Sequence, residues 1–273
     1  MRKQAGRLQS VWTNEGPLRL HTRISTNSPQ YQQLTVWLIH GLSVSSRYMV
    51  PTAEHLAPNW RVYAPDLPGF GRSEHPREIL DVPALADALV QRMDAFGIER
   101  AVLVGNSMGC QIIADVGLRY PNRLSHAVLI GPTMDPAAPT ALQQAWRLLR
   151  DGRYESLASI VTQGRDYLAC GPRRTIGTLR AALADRIETK LPYVRVPTLV
   201  IRGAHDPIAP QPWAEHVTRL LPHGRLTVLE GAPHAANYDN GARVARVVQA
   251  FLAEEASADT RAKLHEGRYV TAN

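Results

Sequence analysis

The sequence predicts an α/β fold: a mostly parallel sheet with helices on both faces and a helical segment inserted late in the chain. Three observations carry this. Short apolar runs rich in strand formers alternate with helical patterns along most of the 273 residues. Several of those runs are continuously apolar, as strands covered on both faces require. The alternation stops between about Thr133 and Pro192, where only helical patterns occur, and then resumes.

The elements follow in order. Leu8 to Thr13 and Leu18 to Ser25 read as strands joined by the turn Asn14-Glu15-Gly16-Pro17. Leu34 to Ile39 is a buried strand ending at His40-Gly41. A helix from Ser46 to Leu56 and a strand from Arg61 to Ala64 lead to the Pro- and Gly-rich loop Asp66 to Gly71. A helix from about Pro83 to Phe96 sets Leu85, Leu89 and Met93 on one face. Ala101 to Val104 is a strand, Cys110 to Leu118 a helix, and Ala127 to Ile130 a strand. In the inserted stretch Leu142, Trp146 and Leu149 share a face, as do Ile176, Leu179 and Leu183. Strands at Thr198 to Ile201 and Leu226 to Leu229 alternate with helices at Pro212 to Leu221 and Ala242 to Glu254. The polar stretch from Ala256 to Asn273 is expected to be loosely held.

Composition narrows the function classes. Hydrophobic residues at 44% and charged residues at 20% describe an ordinary globular protein. The net charge of +7 is scattered, with no basic stripe interleaved with aromatics, so no nucleic-acid partner is expected. Met1-Arg2-Lys3-Gln4 is basic, but no apolar segment follows it as in a signal peptide, and no run is long enough to span a bilayer. These features predict a cytoplasmic protein with no membrane partner. The two cysteines, Cys110 and Cys170, lack metal-ligand spacing, and neither a metal site nor a disulfide framework is expected.

The chemistry centres on Gly105-Asn106-Ser107-Met108-Gly109, a G-x-S-x-G motif between a strand and a helix. So abrupt a reversal leaves no space for side chains at the two glycines. It pushes the serine out of the sheet and aims the next backbone N–H at the same point. A serine hydroxyl needs a base, and the base needs a carboxylate to fix its tautomer. Of the ten histidines, His40, His205 and His234 follow sheet strands. His40 precedes Gly41 where the backbone matters more than the ring, and His205 adjoins an acid. His234 comes last, which fits the order Ser, Asp or Glu, His, and is taken as the base. Asp206, in Gly203-Ala204-His205-Asp206, is the preferred acid. Asp135 competes, but as an Asp before Pro it also reads as a turn former. The oxyanion donors are expected to be the N–H groups of Met108 and Leu42. Gly41, Ser43 and Trp146 are candidate substrate contacts.

Together, His40-Gly41, the Asp66-Leu67-Pro68-Gly69-Phe70-Gly71-Arg72-Ser73 loop, the Ser107 turn, Gly203-x-x-Asp206 and His234 resemble the α/β-hydrolase superfamily. The resemblance spans about Leu8 to Glu254. It implies about eight strands in a core of residues 1–132 and 193–273, under a helical cap of residues 133–192. A serine nucleophile is unlike haloalkane dehalogenases and epoxide hydrolases, which carry Asp there. The turn itself is similar to that of meta-cleavage-product hydrolases, which split a C–C bond. Leu42-Ser43-Val44 and Ala235-Ala236 depart from that group, so an esterase-like hydrolase acting on a small carboxylic ester is expected. C–C hydrolase, lactonase or thioesterase activity, or a slow-turnover ligand receptor on the same fold, stand as alternatives. No cofactor is expected, and a homo-oligomer is allowed for. Should Arg173, Arg174 or Arg186 meet substrate, a carboxylate-bearing substrate and the C–C reading gain weight.

Overall fold

The computed structural model describes residues 6–26 and 34–270. Its centre is an eight-stranded sheet in the order β1-β2-β4-β3-β5-β6-β7-β8. The strands are β1 (Leu8–Glu15), β2 (Leu18–Ser25), β3 (Thr35–Ile39), β4 (Arg61–Pro65), β5 (Ala101–Asn106), β6 (Leu124–Ile130), β7 (Thr198–Gly203) and β8 (Gly224–Leu229). β2 pairs antiparallel with both β1 and β4, and every pairing from β4 through β8 is parallel. All residues of β5 and β7 are buried, which accounts for the apolar runs at residues 101–104 and 199–201. β1 is an edge strand with alternating exposure.

The helices are α1 (Val50–Leu56), α2 (Val82–Ala95), α3 (Met108–Arg119), α4 (Ala141–Asp151), α5 (Leu157–Cys170), α6 (Pro172–Ala184), α7 (Ile187–Lys190), α8 (Gln211–Leu220), α9 (Ala236–Asp239) and α10 (Gly241–Val270). Alternate side chains of the strands feed two separate cores. Trp37, Ile39, Leu103 and Val200 pack on one face with α2, α3 and α8. Val36, Leu38, Val104 and Ile201 pack on the other with α1 and α10. A strand period of two and a helix period of 3.6 thus meet on both sides of one sheet.

Some expectations change. The helix expected from Ser46 begins as a 3₁₀ turn, Ser46–Met49, because Pro51 favours the first turn of the α-helix that follows. The closing helix does not stop at Glu254. It continues through the stretch expected to be loosely held, where Ala, Glu, Arg and Lys are strong helix formers; residues 271–273 lie outside the described residues. Between β6 and β7 the chain builds α4 to α7 in place of a single crossover helix. No helix among the described residues is long and apolar enough to cross a membrane.

Candidate active site

Ser107 occupies the turn between β5 and α3 at φ 56° and ψ −121°, a strained conformation for a residue with a side chain. The turn is close-packed at both flanking glycines. A Cβ on Gly105 would lie 2.6 Å from the backbone of Gly109, and one on Gly109 would lie 2.5 Å from the Ile39 carbonyl oxygen. Met108 begins α3, so its N–H belongs to the first turn that a helix leaves unpaired. Gly41 and Leu42 follow β3 and line the same cavity as Ser107. Gly41 runs against the serine: a Cβ there would be 3.1 Å from the Ser107 Cβ.

His234 and Asp206 meet from the loops after β8 and β7. The Nδ1 of His234 lies 2.8 Å from Asp206 Oδ2, with both side chains buried. Asp206 Oδ1 accepts from the backbone N–H groups of Ile208 (2.8 Å) and Ala209 (2.9 Å), which fixes the carboxylate plane. Burial opposes ionisation of Asp206, but His234 and these two N–H groups outweigh it and hold the pKa below the usual range. Burial likewise disfavours a charged His234, yet Asp206, Asp151 and Glu155 together raise its pKa to about 9. The ordinary value near 6.5 used for a lone histidine therefore does not apply.

Three residues that sequence reading missed hold this pair. Gly131 has φ +55°, and a Cβ there would sit 2.8 Å from His234 Nδ1 and 2.9 Å from Asp206 Oδ2. Asn106 Nδ2 donates to the His234 carbonyl at 3.3 Å, tying the His234 loop to the residue before Ser107. Asp151, the last residue of α4, accepts the His234 backbone N–H at 3.0 Å. Its carboxyl is buried beside Glu155, and burial pushes its pKa up to about 8. A strand-ending glycine was a usable signal for Gly131; Arg150-Asp151-Gly152 offered none, since it reads as an ordinary helix end.

The remaining candidates separate. Asp135 accepts from its own turn at Ala137 N–H (2.9 Å) and from Arg147 Nη1 (2.7 Å), whereas the His234 ring bonds to Asp206. The His40 ring is not idle: Nε2 accepts from Leu67 N–H at 3.1 Å and Nδ1 donates to the Gly41 carbonyl at 2.8 Å, so it braces the Gly41 loop. Ser43 does not line the cavity but bonds to Thr175 Oγ1 at 3.0 Å. Trp146 is also absent from the lining and is 60% exposed. The reason is helical phase: Gln144, Ala145 and Leu148 of α4 face the cavity, leaving Trp146 on the far side.

Ser107 and His234 both line a cavity of about 240 Å³ covered by α4, α5 and α6. Its walls are mainly apolar, including Leu42, Val44, Met134, Leu148, Leu179 and Ile208. Arg173 and Arg174 line a separate cavity of about 230 Å³ with His75 and Arg77, and Arg186 pairs with Glu188. Among the described residues no group of three or more His, Cys, Asp or Glu could hold a metal ion.

Comparison with known proteins agrees with this architecture. Residues 35–166 match a family model described as alpha/beta hydrolase fold, and residues 177–262 match one described as TAP-like protein. The chain belongs to the α/β-hydrolase superfamily. It is 24% identical to RutD of Stutzerimonas stutzeri, whose name carries a provisional carbamate-hydrolase assignment, over 86% of this chain and 96% of that one. Among solved structures it resembles a thermophilic esterase from Thermogutta terrifontis (TM-score 0.75, 22% identity, 91% and 98% of the two chains). An enol-lactonase from Burkholderia xenovorans is also similar (TM-score 0.72, 21% identity, 89% and 100% of the two chains).

Proposed function

We propose that the protein is a serine hydrolase that cleaves a small carboxylic ester through an acyl-enzyme, with α4 to α7 as a cap over the site. The observation that carries this reading is the buried His234–Asp206 pair on the same cavity as the strained Ser107 turn. His234, as the neutral ring, takes the Ser107 proton while the hydroxyl oxygen attacks the carbonyl carbon. The N–H groups of Leu42 and Met108 receive the oxyanion. His234 then protonates the leaving alcohol, and water repeats the sequence on the acyl group. Asp206 steadies the imidazolium throughout.

Two features favour an ester over a carboxylate-bearing C–C substrate. The cavity lining contains no Arg or Lys to neutralise a carboxylate. Its volume of about 240 Å³ also lies below the usual ~300–1,000 Å³ of ligand pockets, which suits a short acyl group. Relatives named as hydrolases and an esterase-like fold are in keeping with this. The test is Ser107→Ala assayed on short p-nitrophenyl esters alongside a vinylogous diketone. Loss of ester turnover with an unchanged melting temperature is expected. Undiminished turnover removes Ser107 from the mechanism, and preference for the diketone transfers the reading to C–C hydrolysis. A stoichiometric burst without steady turnover points to a receptor.

A further inference from the structure

The inserted helices are inside out. α4 buries Gln144 and Asp151, α5 buries Ser159, Thr162 and Asp166, and α6 buries Thr178 and Ala182. Leu148, Tyr167 and Leu179 line the cavity, but most of the large apolar residues of α4 and α5 face outward. On α4, Leu142, Trp146 and Leu149, spaced i, i+4, i+7, are 81%, 60% and 71% exposed. On α5, Leu157, Val161 and Leu168 form a second exposed stripe, Leu157 and Leu168 at 76% and 84%. The polar inner faces have a clear cause, because they bond to loops and to α9 of the sheet half. Asp166 accepts from Ser45 Oγ at 2.6 Å, Thr162 Oγ1 meets Tyr238 OH at 3.0 Å, and Asp151 accepts from His234 N–H at 3.0 Å. Among the described residues nothing covers the outer stripes, and exposed apolar surface of this kind marks an interaction face.

Charge on the same helices identifies what covers them. Of the insertion's nine basic residues, six are exposed: Arg150, Arg153, Arg165, Arg173, Arg180 and Arg186. All six of its acidic residues are buried or half-buried. Arg186 pairs with Glu188, and Arg173 and Arg180 belong to α6, so the outer face of α4 and α5 combines Leu, Trp and Val with Arg150, Arg153 and Arg165, which form no ion pair among the described residues. This pattern suits the acyl–headgroup boundary of an anionic bilayer. A second copy fits worse, since a two-fold contact would press the same arginines against one another.

We propose that the outer face of α4 and α5 docks on an anionic lipid bilayer. The sequence expectation of no membrane partner rested on the lack of a spanning run, and interfacial docking needs none. α4 would then separate lipid from cavity by one helix diameter, about 10 Å, with Leu148 on the cavity side. The proposal does not rest on the hydrolase reading, because binding is measured without turnover.

The experiment is co-sedimentation of the full chain with vesicles of phosphatidylcholine alone or with about one-third phosphatidylglycerol. Binding to the anionic vesicles, weakened by added salt, is expected. L142Q/W146Q/L149Q should lower partitioning at least about tenfold with an unchanged melting temperature. R150Q/R165Q, which touches no apolar residue, should lower it about tenfold or more at low salt. No sedimentation of the wild-type chain, equal sedimentation with both vesicles, or wild-type binding in both variants overturns the proposal. So does a wild-type dimer in light scattering that the triple variant abolishes, which would assign the face to a second copy.

Discussion

In the sheet half, α2 buries Val82, Leu85, Leu89 and Met93; in the insertion, α4 buries Gln144 and Asp151 and leaves Leu142, Trp146 and Leu149 in solvent. The two regions are held by different forces. The sheet and its flanking helices bury large apolar side chains on both faces, worth roughly 1.5–3 kcal/mol each. In the insertion Ala182, Ile187 and Leu191 join the core beneath, but α4 and α5 rest on the sheet half through hydrogen bonds such as Ser45 to Asp166, whose net worth is nearer ~0.5–1.5 kcal/mol apiece. Such a region opens at lower free energy than the core beneath it. The two halves also differ in what they place around the cavity: Ser107, Asp206 and His234 all sit just past strands of the sheet, whereas α4, α5 and α6 cover it and present an outer face.

That division fails if the sheet-borne pair is dispensable. Asp206→Asn preserves shape but lets the His234 ring adopt the wrong tautomer, so kcat should drop by about 10⁴-fold. Steady-state kinetics on a short ester check this, with circular dichroism confirming the fold. A drop of less than about tenfold would mean that another acid supports the base, and Asp135 is too far engaged with Arg147 to be the first choice. The next largest effect concerns stability. Leu38→Ala empties a fully buried position in the β3 core and should cost about 2–5 kcal/mol in chemical denaturation.

The two halves were also unequally legible. Strands β3, β5, β6 and β7 announce themselves because burial on both faces demands unbroken Val, Ile and Leu, and the Ser107 turn because its glycines have no substitute. His234 and Asp206 could be found since a strand end places them. The insertion misleads for the opposite reason. Leu142, Trp146 and Leu149 form a clean apolar stripe, and periodicity says that a face exists but not which way it points. Orientation was decided by polar partners distant in sequence, Asp151 with His234 and Thr162 with Tyr238. Trp146, a candidate substrate contact, fell on the wrong side of α4 for that reason.

Asp151 is where the insertion reaches into the sheet's chemistry, and its effect should appear in pH dependence rather than in rate at one pH. A protonated His234 cannot act as base, so kcat/KM should rise with pH through its pKa, which the surrounding carboxylates hold at about 9. Asp151→Asn keeps an oxygen for the His234 N–H but cannot ionise. Below pH 8 the wild-type carboxyl is itself largely protonated, and the two proteins should differ little. Above that, only the wild type adds a negative charge that favours imidazolium. The rising limb of the variant should therefore move to lower pH by about one unit, or about 1.4 kcal/mol. A shift to higher pH, or none, would mean that Asp151 merely props the loop.

The smallest expected effect separates the halves most sharply. Leu149→Ser removes a side chain as large as that of Leu38, yet Leu149 is 71% exposed and Leu38 is fully buried. The loss of stability should stay within about 0.5 kcal/mol, because the leucine gives up no burial and leaves no cavity. Denaturant midpoints for the two variants, measured side by side in dilute solution, check this. A cost of 2 kcal/mol or more at Leu149 would mean that the outer stripe is already covered in solution by another copy of the chain, since burial is the only source of so large a loss at an aliphatic side chain. A small cost that becomes large only when anionic vesicles are present would place the missing cover on the lipid, and the inverted helices would then be amphipathic in the ordinary sense, with the bilayer as their apolar side.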